Sequence, residues 1–275
     1  MPEDKMQQQR FELKYRIDEN MALAVRDFVS GYLECDPNGV GKPNLSYPVH
    51  SIYLDSDDLY LRHTTLNGDK NRFKLRVRFY DDDLEAPVWF EIKRRIDQVI
   101  AKQRGGVMRN AVAQILAGQL PCPEHMADEH PRSLAAVREF SRLMNRLAAK
   151  PKAHVAYVRE AWISPDNNTV RVTLDRAVLC EPESEAKVAT RMDDPFNVFG
   201  HAVILELKFT DRFPDWFRDM TRVFHLTPCG AAKYADGVTL SGLEKFASLP
   251  FQIRPDRNLH DLFPSASDEQ YLAHP

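Results

Sequence analysis

The stretch Asn71-Arg72-Phe73-Lys74-Leu75-Arg76-Val77-Arg78-Phe79-Tyr80 alternates with a period of two. Phe73, Leu75, Val77 and Phe79 fall on one face and Arg72, Lys74, Arg76 and Arg78 on the other, the pattern of a β-strand with two unlike faces. Such cations suit phosphate oxygens: guanidinium forks grip them in pairs, and ammonium groups act as compact point charges. Taken alone, the strand reads best as an edge with a solvated outer face, whose cations block aggregation. Cations crowded on one side repel each other, however, unless an anion lies over them.

Other segments repeat the pattern with carboxylates among the cations. Residues 10–17 (RFELKYRI) set Arg10, Glu12, Lys14 and Arg16 against Phe11, Leu13, Tyr15 and Ile17. Residues 88–96 (VWFEIKRRI) set Trp89, Glu91, Lys93 and Arg95 against Val88, Phe90 and Ile92. Residues 98–104 (QVIAKQR) read as a short strand with Lys102 and Arg104, broken by Gly105-Gly106. Strands over 152–163 and 169–179 carry Arg159 and Arg171, with Thr173 and Asp175 beside Arg171. Residues 203–209 (VILELKF) place Glu206 and Lys208 opposite Leu205, Leu207 and Phe209.

Helices follow from three- and four-residue apolar spacing: 19–32 capped by Asp18, 107–117 stopped at Gly118, 133–150, 215–224 after Pro214, and 236–246. Residues 36–48 read as a loop, and residues 248–275, rich in proline, as a loosely attached tail. The expected domain is therefore 1–247, with a change of sequence half near Pro151 that does not separate independent domains.

This implies an α+β fold of antiparallel strands flanked by helices. One arrangement leaves the charged faces in water. The other closes the strands into a β-barrel with the helices outside and the charged faces lining the lumen. A lumen holding Lys14, Arg76, Arg78, Lys93, Arg159, Arg171 and Lys208 is too costly when empty and dry. It suits a ligand with several negative charges, such as a nucleoside triphosphate or polyphosphate. Arg72 and Lys74 fall inside that lumen or beyond its mouth. Glu12 and Glu91 read as partners of the cations or as metal ligands. Glu206 is the first choice to hold Mn²⁺ or Mg²⁺, which take one or two carboxylates and complete their shell with phosphate and water.

The chain of 275 residues is 43% hydrophobic and 28% charged, within the globular range, and its net charge of −3 argues against a general nucleic-acid binder. Cys35, Cys122, Cys180 and Cys229 form no C-x-x-C pair, which fits free thiols in the cytoplasm. No apolar run is long enough for a membrane span or a secretory signal. P-loop, kinase-loop and H-E-x-x-H motifs and a nucleophilic triad are absent. His50, His63, His154 and His225 read as structural or surface residues, and Tyr53, Tyr60, Trp89 and Trp216 as packing groups.

Taken in order, RFELKYRI, KLRVRFY, FEIK, Lys102 or Arg104, VRVTLD, LELKF and a final Lys233-Tyr234 resemble the vacuolar transporter chaperone (VTC) polyphosphate polymerase domain, of the triphosphate tunnel metalloenzyme superfamily. The likeness runs from about Gln9 to Phe246. It implies a tunnel barrel that binds ATP by its phosphates and passes the terminal phosphoryl group to a growing polyphosphate chain with Mn²⁺ or Mg²⁺. By motif it makes Lys14, Arg76, Arg78, Lys93, Lys208 and Lys233 catalytic, Lys102, Arg159, Arg171, Glu12 and Glu91 substrate-binding, and Glu206 the metal ligand. Arg10 stands where the superfamily often has glutamate, and Ala232 where the family often has serine. The first departure weakens a hydrolase-type site with several N-terminal carboxylates. No sensing domain or membrane segment is expected in the chain, and a homo-oligomer is possible. A tunnel hydrolase and a non-catalytic polyanion-binding module are the alternatives.

Overall fold

The computed structural model describes residues 10–97, 99–165, 169–210 and 212–251. In this range the elements are β1 (Arg10–Ile17), α1 (Glu19–Val29), β2 (Glu34–Cys35), β3 (Ser46–Asp55), α2 (Tyr60–Leu66), β4 (Arg72–Phe79), β5 (Val88–Ile96), β6 (Val99–Val107), α3 (Val112–Leu116), α4 (Pro131–Leu147), β7 (Lys150–Ile163), β8 (Val170–Pro182), β9 (Phe196–Asn197), β10 (Val203–Thr210), α5 (Asp215–Val223) and α6 (Lys233–Ser241). The strands form a ten-stranded antiparallel sheet in the order β1-β10-β8-β7-β3-β4-β5-β6, with β2 on β7 and β9 on β8. The α+β expectation holds.

Closure of the barrel does not. β1 and β6 end the order, and the sheet is open. Chain that is not strand meets each terminal strand at one place. The Cys229 N–H donates to the Lys14 carbonyl on β1. On β6, Ala127 N–H donates to the Gly106 carbonyl, and Val107 bridges Met126.

The chain divides into two compact units, each threaded from three separate stretches. The first comprises residues 1–49, 156–179 and 197–232. Its core joins the apolar faces of β1, β8 and β10 (Tyr15, Val172, Leu205 and Leu207) to Val25 of α1 and Phe217 and Met220 of α5. Asp18 caps α1, its carboxylate accepting from Met21 N–H at 2.8 Å. A buried ion network pins the same helix: Arg26 donates to both Glu160 oxygens at 2.8 and 2.7 Å, and Arg176 adds a third donor at 2.9 Å.

Among the described residues the second unit comprises 50–97, 99–155, 180–196 and 233–251. Phe73, Leu75, Val77 and Phe79 of β4 and Phe90 and Ile92 of β5 pack against Val137, Phe140 and Leu143 of α4. Gly105-Gly106 does not break β6; the strand runs through to Val107. The glycines are there for space: a Cβ on Gly105 would lie 2.3 Å from the Ser133 carbonyl oxygen and 2.6 Å from Val137 of α4. Helix 107–117 reduces to a 3-10 turn and α3, and Gly118 ends it at φ 103°. The last helix begins three residues earlier than expected, at Lys233, and ends at Ser241. Ser248 and Leu249 N–H donate to the Asp57 carbonyl, and Phe251 stacks on His63. The rest of the expected tail, 252–275, lies outside the described residues.

His50 and His154 are buried in this unit, with Nδ1 and Nε2 3.0 Å apart. Burial, and then the His50 charge, push His154 down to about 4. Burial also lowers His50. Both rings are buried groups of this unit.

Two stability predictions follow from these contacts. Gly105→Ala should cost about 2 kcal/mol or more, because a backbone carbonyl cannot yield as a side chain can; an unchanged urea midpoint would show that α4 is not seated on β6. Between pH 6.5 and 4 the unfolded chain binds the proton that native His154 refuses, so stability falls as pH falls through that window. The loss is on the order of 3 kcal/mol when complete. Urea titrations of wild type and His154→Asn should diverge there, and parallel pH profiles would contradict the assignment.

Candidate functional site

On the second unit, register fixes which charged side chains share a face. Arg76 pairs with Glu91 and Glu91 with Arg104; Arg78 pairs with Trp89; Lys74 with Lys93 and Lys93 with Lys102; Arg72 with Arg95. One face of β4, β5 and β6 thus carries eight cations and one carboxylate. Its opposite face is the apolar core described above.

Glu91 is fully buried and organises the cations around it. Arg76 places Nε and a terminal nitrogen at 2.7 and 2.6 Å from Glu91 Oε2. Lys102 Nζ lies 2.5 Å from Oε1, and an Arg78 nitrogen 3.7 Å from Oε2. Burial works against ionisation of Glu91, yet Arg76, Arg78 and Lys102 outweigh it and hold the carboxyl well below its usual range. Neighbours fix the guanidinium groups further: Arg76 donates to the Tyr53 hydroxyl at 3.2 Å and Arg78 to Ser51 Oγ at 3.3 Å. Burial raises the Tyr53 phenol, but Arg76, Arg78 and Lys233 together bring it below its ordinary value. The Tyr53 ring stacks on Tyr234, 4.9 Å between centroids, and the Tyr234 hydroxyl donates to buried Asp55 at 2.8 Å.

Lys102 and Arg104 separate here. Lys102 reaches Glu91, whereas the Arg104 guanidinium lies 4.4 Å over the Trp89 ring. Lys93 shares their face, and Lys233 is buried at the start of α6, where its charge acts on Tyr53.

On the first unit the charges balance more evenly. Glu12 faces Lys208, and Lys208 faces Arg171; Lys14 faces Glu206, and Glu206 faces Thr173. Lys208 Nζ lies 2.5 Å from Glu206 Oε2 and 3.3 Å from Thr173 Oγ1. Lys14 Nζ lies 3.5 Å from Glu206 Oε1, 3.1 Å from Glu12 Oε1 and 3.1 Å from the Ala231 carbonyl. Arg159 grips Asp175 with two hydrogen bonds of 2.7 Å and comes within 3.6 Å of Glu206. Arg171 donates to Asp36 at 2.6 Å and to the Tyr47 hydroxyl at 3.3 Å.

Of the predicted residues, Glu12, Lys14, Arg159, Glu206 and Lys208 therefore form one cluster in the first unit. Arg76, Arg78, Glu91 and Lys102 form another in the second. Arg171 is held by the loop residue Asp36. The sequence reading missed Asp175, Asp36 and the hydrogen-bonding role of Tyr53. Alternation in VRVTLD already placed Asp175 beside Arg171, so its signal was available. Asp36 lies in a loop-like stretch whose course periodicity cannot give.

A divalent cation was assigned to Glu206. Among the described residues no cluster of three or more His, Cys, Asp or Glu side chains could ligate a metal. Glu206 and Glu12 are nevertheless drawn onto one ammonium group, Lys14. That donor set fits a hard cation that takes one or two carboxylates and draws its other ligands from phosphate and water. It does not fit an all-protein cage.

The fold and these clusters define an antiparallel α+β protein whose charged strand faces gather cations around buried carboxylates. The chain belongs to the VTC domain family, whose model matches residues 9–241. No curated protein matches it. Among solved structures it is similar to a candidate adenylate cyclase from Bacillus halodurans at 12% identity and TM-score 0.44, covering 82% of this chain and 95% of that one. It is also similar to a candidate adenylate cyclase from Vibrio parahaemolyticus at 13% identity and TM-score 0.41, covering 86% and 100%. Likeness at this level bears on neither activity nor substrate. No helix among the described residues is long and apolar enough to cross a membrane.

Burial, only partly offset by Glu206 and Glu12, brings Lys208 down to about 8. Between pH 8 and 10.5 the unfolded chain holds a proton that native Lys208 has lost, so this group makes stability rise with pH across that range. The gain is on the order of 3 kcal/mol when complete. Comparing Lys208→Met with wild type by urea unfolding at pH 7.5 and 10 isolates it; equal slopes would mean that Lys208 titrates normally.

Proposed function

We propose that this protein is a polyphosphate polymerase that transfers the terminal phosphoryl group of ATP to a growing inorganic polyphosphate chain. One observation carries the reading: in a chain of the VTC family, one face of β4, β5 and β6 gathers eight cations with a single carboxylate among them. Lysines stand directly opposite lysines there, and arginine opposite arginine, an arrangement that costs stability unless an anion lies across it.

In this reading Lys14, Arg76, Arg78, Lys93, Lys208 and Lys233 hold and neutralise the reacting phosphates. Lys102, Arg159 and Arg171 bind more of the substrate, and Glu12 and Glu91 keep the cations oriented. Arg76 and Arg78 are fixed before substrate arrives by Glu91, Tyr53 and Ser51, so little reorganisation is left for the transition state. An acceptor phosphate oxygen is already ionised, and no general base is required. Mn²⁺ or Mg²⁺, held by Glu206 with Glu12 nearby, would supply further neutralisation of phosphate charge when bound. The catalytic unit covers residues 1–247, with 248–275 as an appendage, and the setting is cytoplasmic, with ATP and polyphosphate as the partners.

The test is incubation of the full chain with ATP and Mn²⁺, with products separated on a gel. A ladder of long chains is expected, together with a loss of at least a hundredfold in kcat/KM for Arg76→Ala at unchanged circular dichroism. Orthophosphate without chains would replace the polymerase reading with a triphosphate hydrolase. Tight polyphosphate binding without turnover under either metal would leave a non-catalytic binding module.

A further inference from the structure

Not all eight cations surround Glu91. Arg72 with Arg95, and Lys74 with Lys93, form two further cross-strand rows beyond the Arg76–Glu91 row. Successive rows are two residues apart, or about 7 Å, so they extend the cationic face by about 14 Å. Arg72 donates to the Asp69 carbonyl and Arg95 to the Asp97 carbonyl. Among the described residues neither is paired with a carboxylate. Strand propensity does not call for like charges in register, and a solvated face would mix their signs.

We propose that the Arg72–Arg95 row and Lys74 form an extension subsite for linear polyphosphate, holding phosphates beyond those of a triphosphate placed at Arg76, Arg78 and Lys93. This rests on the function proposed above and deepens it. A compact triphosphate engages one or two rows; a polyanion of many repeats engages them all. The two rows read Arg72–Arg95–Ile100 and Lys74–Lys93–Lys102, with no aromatic side chain among them. Single-stranded nucleic acid needs such platforms for its bases, so a bare phosphate chain is the better fit. Multiple contacts of this kind should also make binding steeply salt-dependent.

The experiment compares tripolyphosphate with long-chain polyphosphate as ligands of the full-length protein, by calorimetry at two salt concentrations. Arg72→Thr/Arg95→Thr should bind tripolyphosphate within twofold of wild type, which also shows that it folds. It should bind the long chain at least tenfold more weakly, with a shallower salt dependence, and Arg72→Lys/Arg95→Lys should restore most of the affinity. Its melting temperature should equal or exceed that of wild type, because a repulsive pair has gone. Equal loss for both ligands, or loss for neither, would overturn the subsite. So would an oligonucleotide of equal charge that binds as tightly and loses as much. The two proposals fail separately: row-dependent polyphosphate binding without chains from ATP sinks only the polymerase, and normal ladders with unchanged long-chain affinity in the double variant sink only the subsite.

Discussion

A buried carboxylate surrounded by cations is the arrangement on which the rest depends. Glu91 is wholly inaccessible, yet it stays ionised because Arg76, Arg78 and Lys102 converge on it. An unpaired charge at that depth would cost several kcal/mol, and removing one partner of a buried pair costs about 3–5 kcal/mol. The same contacts run in the other direction. Arg76 has its guanidinium divided between Glu91 and Tyr53, and Tyr53 is seated on Tyr234, which is tied to Asp55. Orientation of Arg76 thus rests on a relay from β5 through β3 to α6.

The two clusters use this device differently. Around Glu206, the cations Lys14, Lys208 and Arg159 meet the carboxylates Glu206, Glu12 and Asp175, and between β1 and β10 register places opposite charges across from one another, although Lys208 also faces Arg171 on β8. Cross-strand pairs of that kind support the sheet. Around Glu91 the neighbouring rows set like against like. The first cluster is therefore at home without a ligand and has oxygen donors for a hard cation. The second concentrates positive charge at a cost to the sheet, and that cost points to an anion.

Much of this was legible in the sequence because β-structure writes itself with a period of two. The alternation in residues 72–79 gave both the core face and the charged face of β4, and RFELKYRI and VILELKF did the same for β1 and β10. Three things were not legible. Gly105-Gly106 read as a break because the sequence does not show that α4 lies against β6 at that point. Barrel closure followed from charge logic, but alternation within β1 and β6 carries no information on whether those two strands pair, and they end the sheet order unpaired with each other. Arg94 had no place in the face reading. It stands two residues from Ile92, on the apolar side, and is buried there because Glu139 of α4 and Gln103 of β6 meet its guanidinium. Partners distant in sequence decide such cases.

Glu91 also bears on how tightly a polyanion can be held. Were Arg76, Arg78 and Lys102 without a carboxylate, an arriving phosphate would take all of their charge, and a product bound so strongly would leave slowly. With Glu91 in place the phosphate shares the guanidinium donors with a partner that never leaves, and each phosphate contact is correspondingly weaker. The proposed polymerase would have to hold every phosphate of a linear substrate in line and still let the chain advance by one unit per turnover. Many contacts of moderate strength, each backed by a fixed carboxylate or by a backbone carbonyl as at Arg72 and Arg95, meet both demands. A few strong contacts would meet only the first.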